Sequence, residues 1–174
     1  MRENIDRFAQ IYGPLAEHAE RIGVRIAFET AGRGGGEGNI AHNPELWDAM
    51  FEAIPSASIG LSFDPSHLVW LHIPDVTGLI RQYRDRIYHF DGKDCEILSR
   101  RLSRQGILGS DWWRYRLPGQ GELEWASILG TLDETGYEGP ITIEQEDPVS
   151  PGYEGLAESL HYLRELTDRA STQR

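Results

Sequence analysis

The sequence predicts an α/β fold of parallel strands, closer to the (β/α) TIM-barrel type than to an open sheet, and three observations carry this. Four short strand-like runs alternate with helix-like segments, which implies parallel pairing through right-handed crossovers. Each run ends on an acid: Glu29, Asp64, Asp91 and Glu144. Residues in phase with the acid are small or polar while the alternate set, such as Leu61 with Phe63 or Ile141 with Ile143, is apolar. Strands buried on both faces of a doubly wound sheet would instead read as near-continuous Val/Ile/Leu runs. The open sheet stays as the alternative.

Apolar residues Ile5, Phe8, Ala9, Tyr12, Leu15, Ala16, Ala19 and Ile22 recur at helical spacing up to Gly23, so residues 3 to 22 form an amphipathic helix. Pro14, after Gly13, should kink or split it. The run from Val24 to Glu29 is a strand, with Val24, Ile26 and Phe28 on one face and Arg25, Ala27 and Glu29 on the other. Gly32 to Gly38 is glycine-rich but lacks the phosphate-cradling patterns, and is expected to be a mobile loop over the strand ends. Helix 44 to 54 leads to strand Ile59–Asp64, helix 75 to 84 to Ile87–Asp91, and helix 124 to 135 to Ile141–Glu144; a last helix covers 153 to 168. Between them, residues 93 to 116 carry Lys93, Arg100, Arg101, Arg104, Arg114 and Arg116, a basic segment expected to cover the strand ends as a loop, before the turn Pro118-Gly119-Gln120-Gly121. In a barrel the apolar set faces the helices and the four acids converge at the C-terminal mouth, where such barrels keep their chemistry.

Composition narrows the function. The 174 residues carry 17 Lys+Arg against 28 Asp+Glu, and a charge of −11 repels a polyphosphate backbone, so no nucleic-acid partner is expected. The opening MRENIDRFAQ is too charged for a signal peptide and no apolar run approaches the roughly 18 residues that span a bilayer, so a cytoplasmic protein with no membrane partner is expected. Cys95 is the only cysteine and forms no internal disulfide. Four strands make half of an eight-stranded barrel, which typically takes about 250 residues. Residues 1–174 are therefore expected to be one barrel-type domain lacking half of its strands, the N-terminal half by the family resemblance given below, and two unpaired edges favour a homo-oligomer or a complementing half-barrel.

In Asp64-Pro65-Ser66-His67 a carboxylate and an imidazole three residues apart on a turn can face one small volume, one ligating a metal while the other contacts substrate. A turn capped by Asp64 fits the same four residues. Four inward carboxylates repel one another, and a divalent cation is the simplest remedy.

Several linked strings then resemble a known family: Ile26-Ala27-Phe28-Glu29, Phe63 to Trp70, Arg86 to Asp94, Trp112 to Gly121 and Ile143 to Pro148. Together they resemble the sugar phosphate isomerase/epimerase family with the xylose isomerase-like barrel, over nearly the whole chain but only the latter half or so of the family's barrel. The resemblance implies one divalent metal ion, Mn²⁺ or Mg²⁺, held by Glu29, Asp64 and Glu144. Asp91 stands where the family pattern His-x-His-x-Lys-Asp has its metal-binding histidine, and the resulting all-oxygen set suits a hard cation better than Zn²⁺. His67 is implied to contact substrate; Lys93 and Arg116 are expected to hold phosphate or hydroxyl oxygens, and Trp112 or Trp113 to stack on a sugar ring. His89 is expected to be a hydrogen-bonded interior residue, Gln145 to face away from the axis, and His18, His42, His72 and His161 to be surface or helix residues. The implied activity is a metal-dependent isomerase or epimerase of a small sugar or sugar derivative, moving a proton next to a carbonyl through an enediolate, with Glu29 and Glu144 as the catalytic pair. The alternatives are a dehydratase of a cyclic polyol at the same site, and a catalytically inactive fragment or binding module. An apurinic endonuclease on this barrel would need a histidine-rich cluster and a basic surface, which the chain lacks.

Overall fold

The computed structural model describes residues 2–34 and 37–172. Helix α1 (Arg2–Ile22) turns Phe8, Ala16 and Ala19 inward, and Phe8 and Tyr12 meet Phe28 of β1 (Ile26–Glu29) at 5.3 and 4.8 Å between ring centroids. Pro14 does not split the helix. Its missing N–H falls on the exposed face, where water can satisfy the carbonyl of exposed Gln10, while the packed face holds both halves in line. The glycine-rich segment forms a short antiparallel pair, β2 (Arg33–Gly34) and β3 (Glu37–Gly38); residues 35 and 36 of the expected loop lie outside the described residues.

Helix α2 (Pro44–Ala53) starts where the Asn43 side chain accepts from the Leu46 N–H with Pro44 in the first turn. Strand β4 (Ile59–Phe63), helix α3 (Pro65–Trp70), helix α4 (Val76–Gln82) and strand β5 (Ile87–Gly92) follow. Beyond them come β6 (Asp94–Ile97), α5 (Ser99–Gln105), β7 (Trp113–Arg116), α6 (Trp125–Glu134), β8 (Ile141–Ile143) and α7 (Tyr153–Thr172). The main sheet runs β1-β4-β5-β8, every pair parallel, in the order of a barrel unrolled. Its helix-facing side is the core, where Leu61, Phe63 and Phe90 pack with Trp47, Met50, Ile80, Ile128 and Leu132.

One irregularity matters for the site. Leu61 pairs with Ile87 but Ser62 pairs with His89, so Tyr88 is an extra residue in β5. The bulge resets the alternation: Ile87 and Phe90, three apart, both lie in the core. Gly60 makes room for it, because a Cβ there would come within 2.3 Å of the Tyr88 ring.

Strands β1 and β8 are each paired on one side, and no closed barrel exists among the described residues. Exposed apolar side chains occur in the elements flanking these two strands in the chain: Ile11 and Leu15 of α1 and Val24 before β1, and Val149, Tyr153 and Leu160 after β8. Among the described residues no helix is long and apolar enough to cross a membrane.

The basic segment 93 to 116 is no simple loop. Strands β6 and β7 pair antiparallel, Asp94 with Arg116 through Ile97 with Trp113, and lie against α3 at the end of the main sheet. Asp94 anchors this hairpin. One carboxylate oxygen accepts from the Cys95 and Leu123 N–H groups, at 2.8 and 3.1 Å, and the other from the Gly119 N–H and Trp125 Nε1, at 3.2 and 2.9 Å. Both turn glycines are required: Gly119 has φ +85°, and a Cβ on Gly121 would sit 2.3 Å from the Asp94 carboxylate. Replacing Asp94 by Ala strands four donors around a buried site, and hydrogen bonds to charged groups contribute about 1.5–3 kcal/mol each. Urea denaturation of Asp94→Ala is expected to show a loss of at least about 3 kcal/mol; a midpoint equal to the parent's would remove Asp94 as the anchor.

Candidate metal and substrate site

Three strand ends and the hairpin meet in one volume. At the end of β4, Asp64 caps α3: its Oδ1 accepts from the Ser66 N–H at 2.9 Å, with Pro65 in the first turn. His67, one position further, turns its ring back over the cap. Thr30, fully buried just past β1, ties the two strand ends together, its hydroxyl accepting from the Asp64 N–H at 2.9 Å and donating to the Asp64 carbonyl at 3.3 Å. That clamp sets Glu29, the last residue of β1, beside His67.

His67 Nε2 lies 3.0 Å from Asp64 Oδ2 and 3.3 Å from Glu29 Oε1, and Nδ1 lies 3.0 Å from the Tyr115 hydroxyl of β7. One ligand atom from each of Glu29, Asp64 and His67 falls within 4.8 Å of the others, a grouping that can hold a metal ion. Asp64 has no exposed side-chain surface, yet its Oδ2 makes only ionic contacts without hydrogen-bond alignment. A buried carboxylate oxygen with an unused lone pair, next to an imidazole nitrogen and a second carboxylate, fits a divalent cation. Tyr115 fixes the ring from the far nitrogen, the usual way an outer partner orients a histidine ligand.

The electrostatics agree with the geometry. Burial works against a charge on His67, but the Asp64 and Glu29 carboxylates outweigh it and raise its pKa to about 9. Burial likewise opposes ionisation of Asp64, and the His67 and Lys93 charges still hold its carboxyl below the usual range. Glu29, half exposed, is lowered chiefly by its hydrogen bond with His67.

Of the four ligands expected from the sequence, two enter this cluster and His67, expected to touch substrate, is the third member. Asp91 is turned to its neighbours: Oδ2 accepts from the Ser62 hydroxyl at 2.9 Å and Oδ1 lies 3.2 Å from His89 Nε2. Burial pushes the Asp91 carboxyl up, and the Asp64 and Glu144 charges add to the shift while Ser62 opposes it. Glu144 is engaged by Lys93 Nζ at 2.5 Å, and Glu146, two residues on along the same edge, by the same ammonium at 2.9 Å.

Arg116, expected to hold substrate oxygens, is instead a strut. Its Nε bonds Asp147 at 2.9 Å, one terminal nitrogen bonds Glu96 at 2.8 Å and the other Gln120 at 3.4 Å, joining β7 to the segment after β8. Trp113 stacks on Trp70 at 4.8 Å and 5°, and Trp112 on His72 at 5.5 Å and 6°, so each indole lies against one of the protein's own rings. His72, at φ +56°, is exposed as expected, with its ring stacked on Trp112. Gln145 turns away and orders the loop after β8, donating to the Ser150 and Gly152 carbonyls. His18, His42 and His161 stay away from the site, paired with Arg21, the Asn39 carbonyl and Glu165. Sequence reasoning missed Thr30, Tyr115 and Glu146. The alternation in Trp113-Arg114-Tyr115-Arg116 could have shown a strand, and hence Tyr115; nothing in the pattern marked Thr30.

Residues 2–166 match the protein family described as a xylose isomerase-like TIM barrel. A 3-dehydroshikimate dehydratase of Pseudomonas putida is 29% identical over 166 residues, covering 88% of this chain and 24% of that protein. An inosose dehydratase of Clostridium perfringens is 26% identical over 140 residues, covering 75% of this chain and 46% of that protein. The solved structure of an L-ribulose 3-epimerase superposes with a TM-score of 0.68 at 20% identity, over 99% of this chain and 57% of that one. The chain thus spans about half the length, or less, of the curated relatives it matches.

The raised pKa of His67 makes a pH prediction for the metal-free chain. A folded value of about 9 against an unfolded value near 6.5 gives a stabilisation that is complete below about pH 6.5 and lost as pH rises through about 9. Urea midpoints measured from pH 6 to pH 10 should fall across that window in the parent chain and stay flatter in His67→Gln; parallel profiles would separate His67 from the Asp64–Glu29 pair.

Proposed function

The chain belongs to the xylose isomerase-like TIM barrel family, and from that premise we propose that it acts as a metal-dependent isomerase or epimerase on a small sugar or sugar derivative, moving a proton next to a carbonyl. The observation that carries this reading is the cluster of Glu29, Asp64 and His67 at the C-terminal ends of parallel strands, where this architecture keeps its chemistry. Glu29, Asp64 and His67 hold the ion, Mn²⁺ or Mg²⁺, and a divalent cation there supplies positive charge against the negative charge that develops on the substrate's oxygens. Asp64 serves as a buried, fixed ligand. Glu29 and Glu144, with side chains 49% and 38% exposed on the two outermost strands, are the carboxylates open enough to meet a substrate from opposite sides. One removes the proton and the other returns it. Asp91 supports Ser62 and His89 rather than the ion, and the site keeps two carboxylates and one imidazole as its donor set.

A specific observation favours a second reading on the same residues. Both curated relatives described above carry the name of a dehydratase, and loss of water next to a carbonyl also begins with removal of the neighbouring proton. Incubation with Mn²⁺ and a panel of ketoses and cyclic polyol ketones in D₂O separates the outcomes. Deuterium entering a substrate that keeps all its oxygens supports the isomerase or epimerase; an absorbing unsaturated ketone supports the dehydratase. A bound metal with neither product leaves the binding module.

The open edges of β1 and β8 are taken to be covered by a complementing half-barrel. Helix α1 precedes β1 and α7 follows β8, so two copies joined edge to edge would bring an α7 and an α1 to the same junction. Native mass spectrometry of the chain alone should show no discrete dimer, and a discrete dimer would overturn this choice of cover.

Two substitutions divide the roles. Asp64→Asn is expected to weaken Mn²⁺ binding by more than about 100-fold in isothermal titration with the far-ultraviolet circular dichroism unchanged, in line with loss of a charged ligand. Glu144→Gln should keep one metal per chain and lower turnover by about 10² or more, the usual scale for a general acid or base. Turnover unaffected by Glu144→Gln would remove that residue from the catalytic pair.

A further inference from the structure

Lys93 lies between β5 and β6 with its side chain only 2% exposed, and its ammonium is enclosed on every side. Nζ is 2.9 Å from Asp64 Oδ2, 2.5 Å from Glu144 Oε2 and 2.9 Å from Glu146 Oε2, and it stands 4.6 Å from the centre of the Tyr115 ring. Glu144 and Glu146 accept hydrogen bonds from the ammonium, Asp64 Oδ2 adds an ion-pair contact, and the aromatic face closes the remaining side. A lysine that reached out for substrate oxygens would leave this cage.

The contact with Asp64 is the informative one. Asp64 Oδ1 is committed to the Ser66 N–H, so Oδ2 is the oxygen left to ligate an ion, and Oδ2 is the atom that Lys93 touches. A divalent ion about 2.1 Å from that oxygen would lie no more than about 5 Å from the ammonium, the sum of the two contact lengths. Two positive charges that close in buried surroundings repel strongly. The other two contacts differ in kind. Glu144 and Glu146 are 38% and 52% exposed, belong to the end of β8 and the segment after it, and stand outside the grouping of Glu29, Asp64 and His67. They can keep the ammonium paired once it releases Asp64, so no buried charge is left alone.

We propose that Lys93 is a built-in counter-cation that neutralises Asp64 while no divalent ion is bound, withdraws onto the Glu144–Glu146 pair when one binds, and so sets the metal affinity of the site. The inference rests on the reading of Glu29, Asp64 and His67 as the metal ligands. It gives Glu146 a role, as the second half of the lysine's resting place. It also makes Glu144 the lysine's partner rather than a fourth metal ligand.

Isothermal titration of Mn²⁺ into the metal-stripped chain and into Lys93→Gln is the test. The variant is expected to bind Mn²⁺ at least tenfold more tightly than the parent. Equal or weaker binding in the variant, with binding in the parent intact, overturns the lysine proposal and leaves the metal site standing. Binding in neither protein overturns the metal site and the lysine proposal together. Because Lys93→Gln leaves three carboxylates without their cation and can fail to fold, a second measurement uses the parent chain. Titration with diamagnetic Mg²⁺, followed through the lysine Cε and Nζ resonances, should move the Lys93 signals as the ion saturates the site. Saturation by Mg²⁺ with the Lys93 signals unmoved overturns the proposal as well.

Discussion

Asp64 buries its carboxylate completely, and a charge removed from water must be paired and hydrogen-bonded to be tolerated. Much of the architecture around it meets that requirement. The Ser66 N–H at the start of α3 satisfies one oxygen, and the His67 ring and Lys93 ammonium neutralise the other. Thr30 fixes the backbone of Asp64 to the end of β1. The same contacts that make the buried charge bearable bring Glu29, His67, Tyr115 and Glu144 to one place. Since neither cationic contact gives Oδ2 an aligned hydrogen bond, the oxygen retains a lone pair for a stronger acceptor of electron density.

The hairpin β6–β7 is what turns an open strand end into a site. It supplies Tyr115 to His67 and to Lys93, and it is itself held down by Asp94 through four donors and by Arg116 through Glu96 and Asp147. In this sense Arg114 and Arg116 are struts, while Arg100, Arg101 and Arg104 stay exposed. Arg114 and Arg116 share Glu96 across the hairpin, and Arg116 also pairs with Asp147 beyond β8. The stacked pairs Trp70–Trp113 and His72–Trp112 likewise join α3 and the residues just after it to the start of β7.

The parallel strands, the helices between them and the acids that end them were legible in the sequence because each rests on a local period. Alternation within four to six residues marks a strand, and helical spacing in α1, α2, α6 and α7 marks the layer that covers it. What a local period cannot carry is register. The extra residue Tyr88 in β5 resets the alternation and sends Ile87 into the core, while Asp91 keeps the face of Ser62 and spends its oxygens on Ser62 and His89. Long-range pairings were invisible for the same reason. Nothing near Lys93 in the chain announces Glu146, 53 positions later, and Arg116 meets its partner Asp147 only because β7 and the end of β8 are brought together by the fold. His67 stood out in the sequence through the Asp64-to-His67 motif, but its place beside the Glu29 and Asp64 oxygens depends on the turn geometry of α3.

The account stands on the assignment of Glu29, Asp64 and His67 to one divalent ion. Anomalous diffraction at the manganese edge, from crystals of the chain soaked in Mn²⁺, tests that directly. The account predicts a single strong peak within coordination distance, about 2.0–2.3 Å, of Asp64 Oδ2, a Glu29 oxygen and His67 Nε2, with the Lys93 ammonium drawn back to Glu144 and Glu146. A peak seated on Asp91 or Glu144 with His67 outside the coordination shell would contradict it.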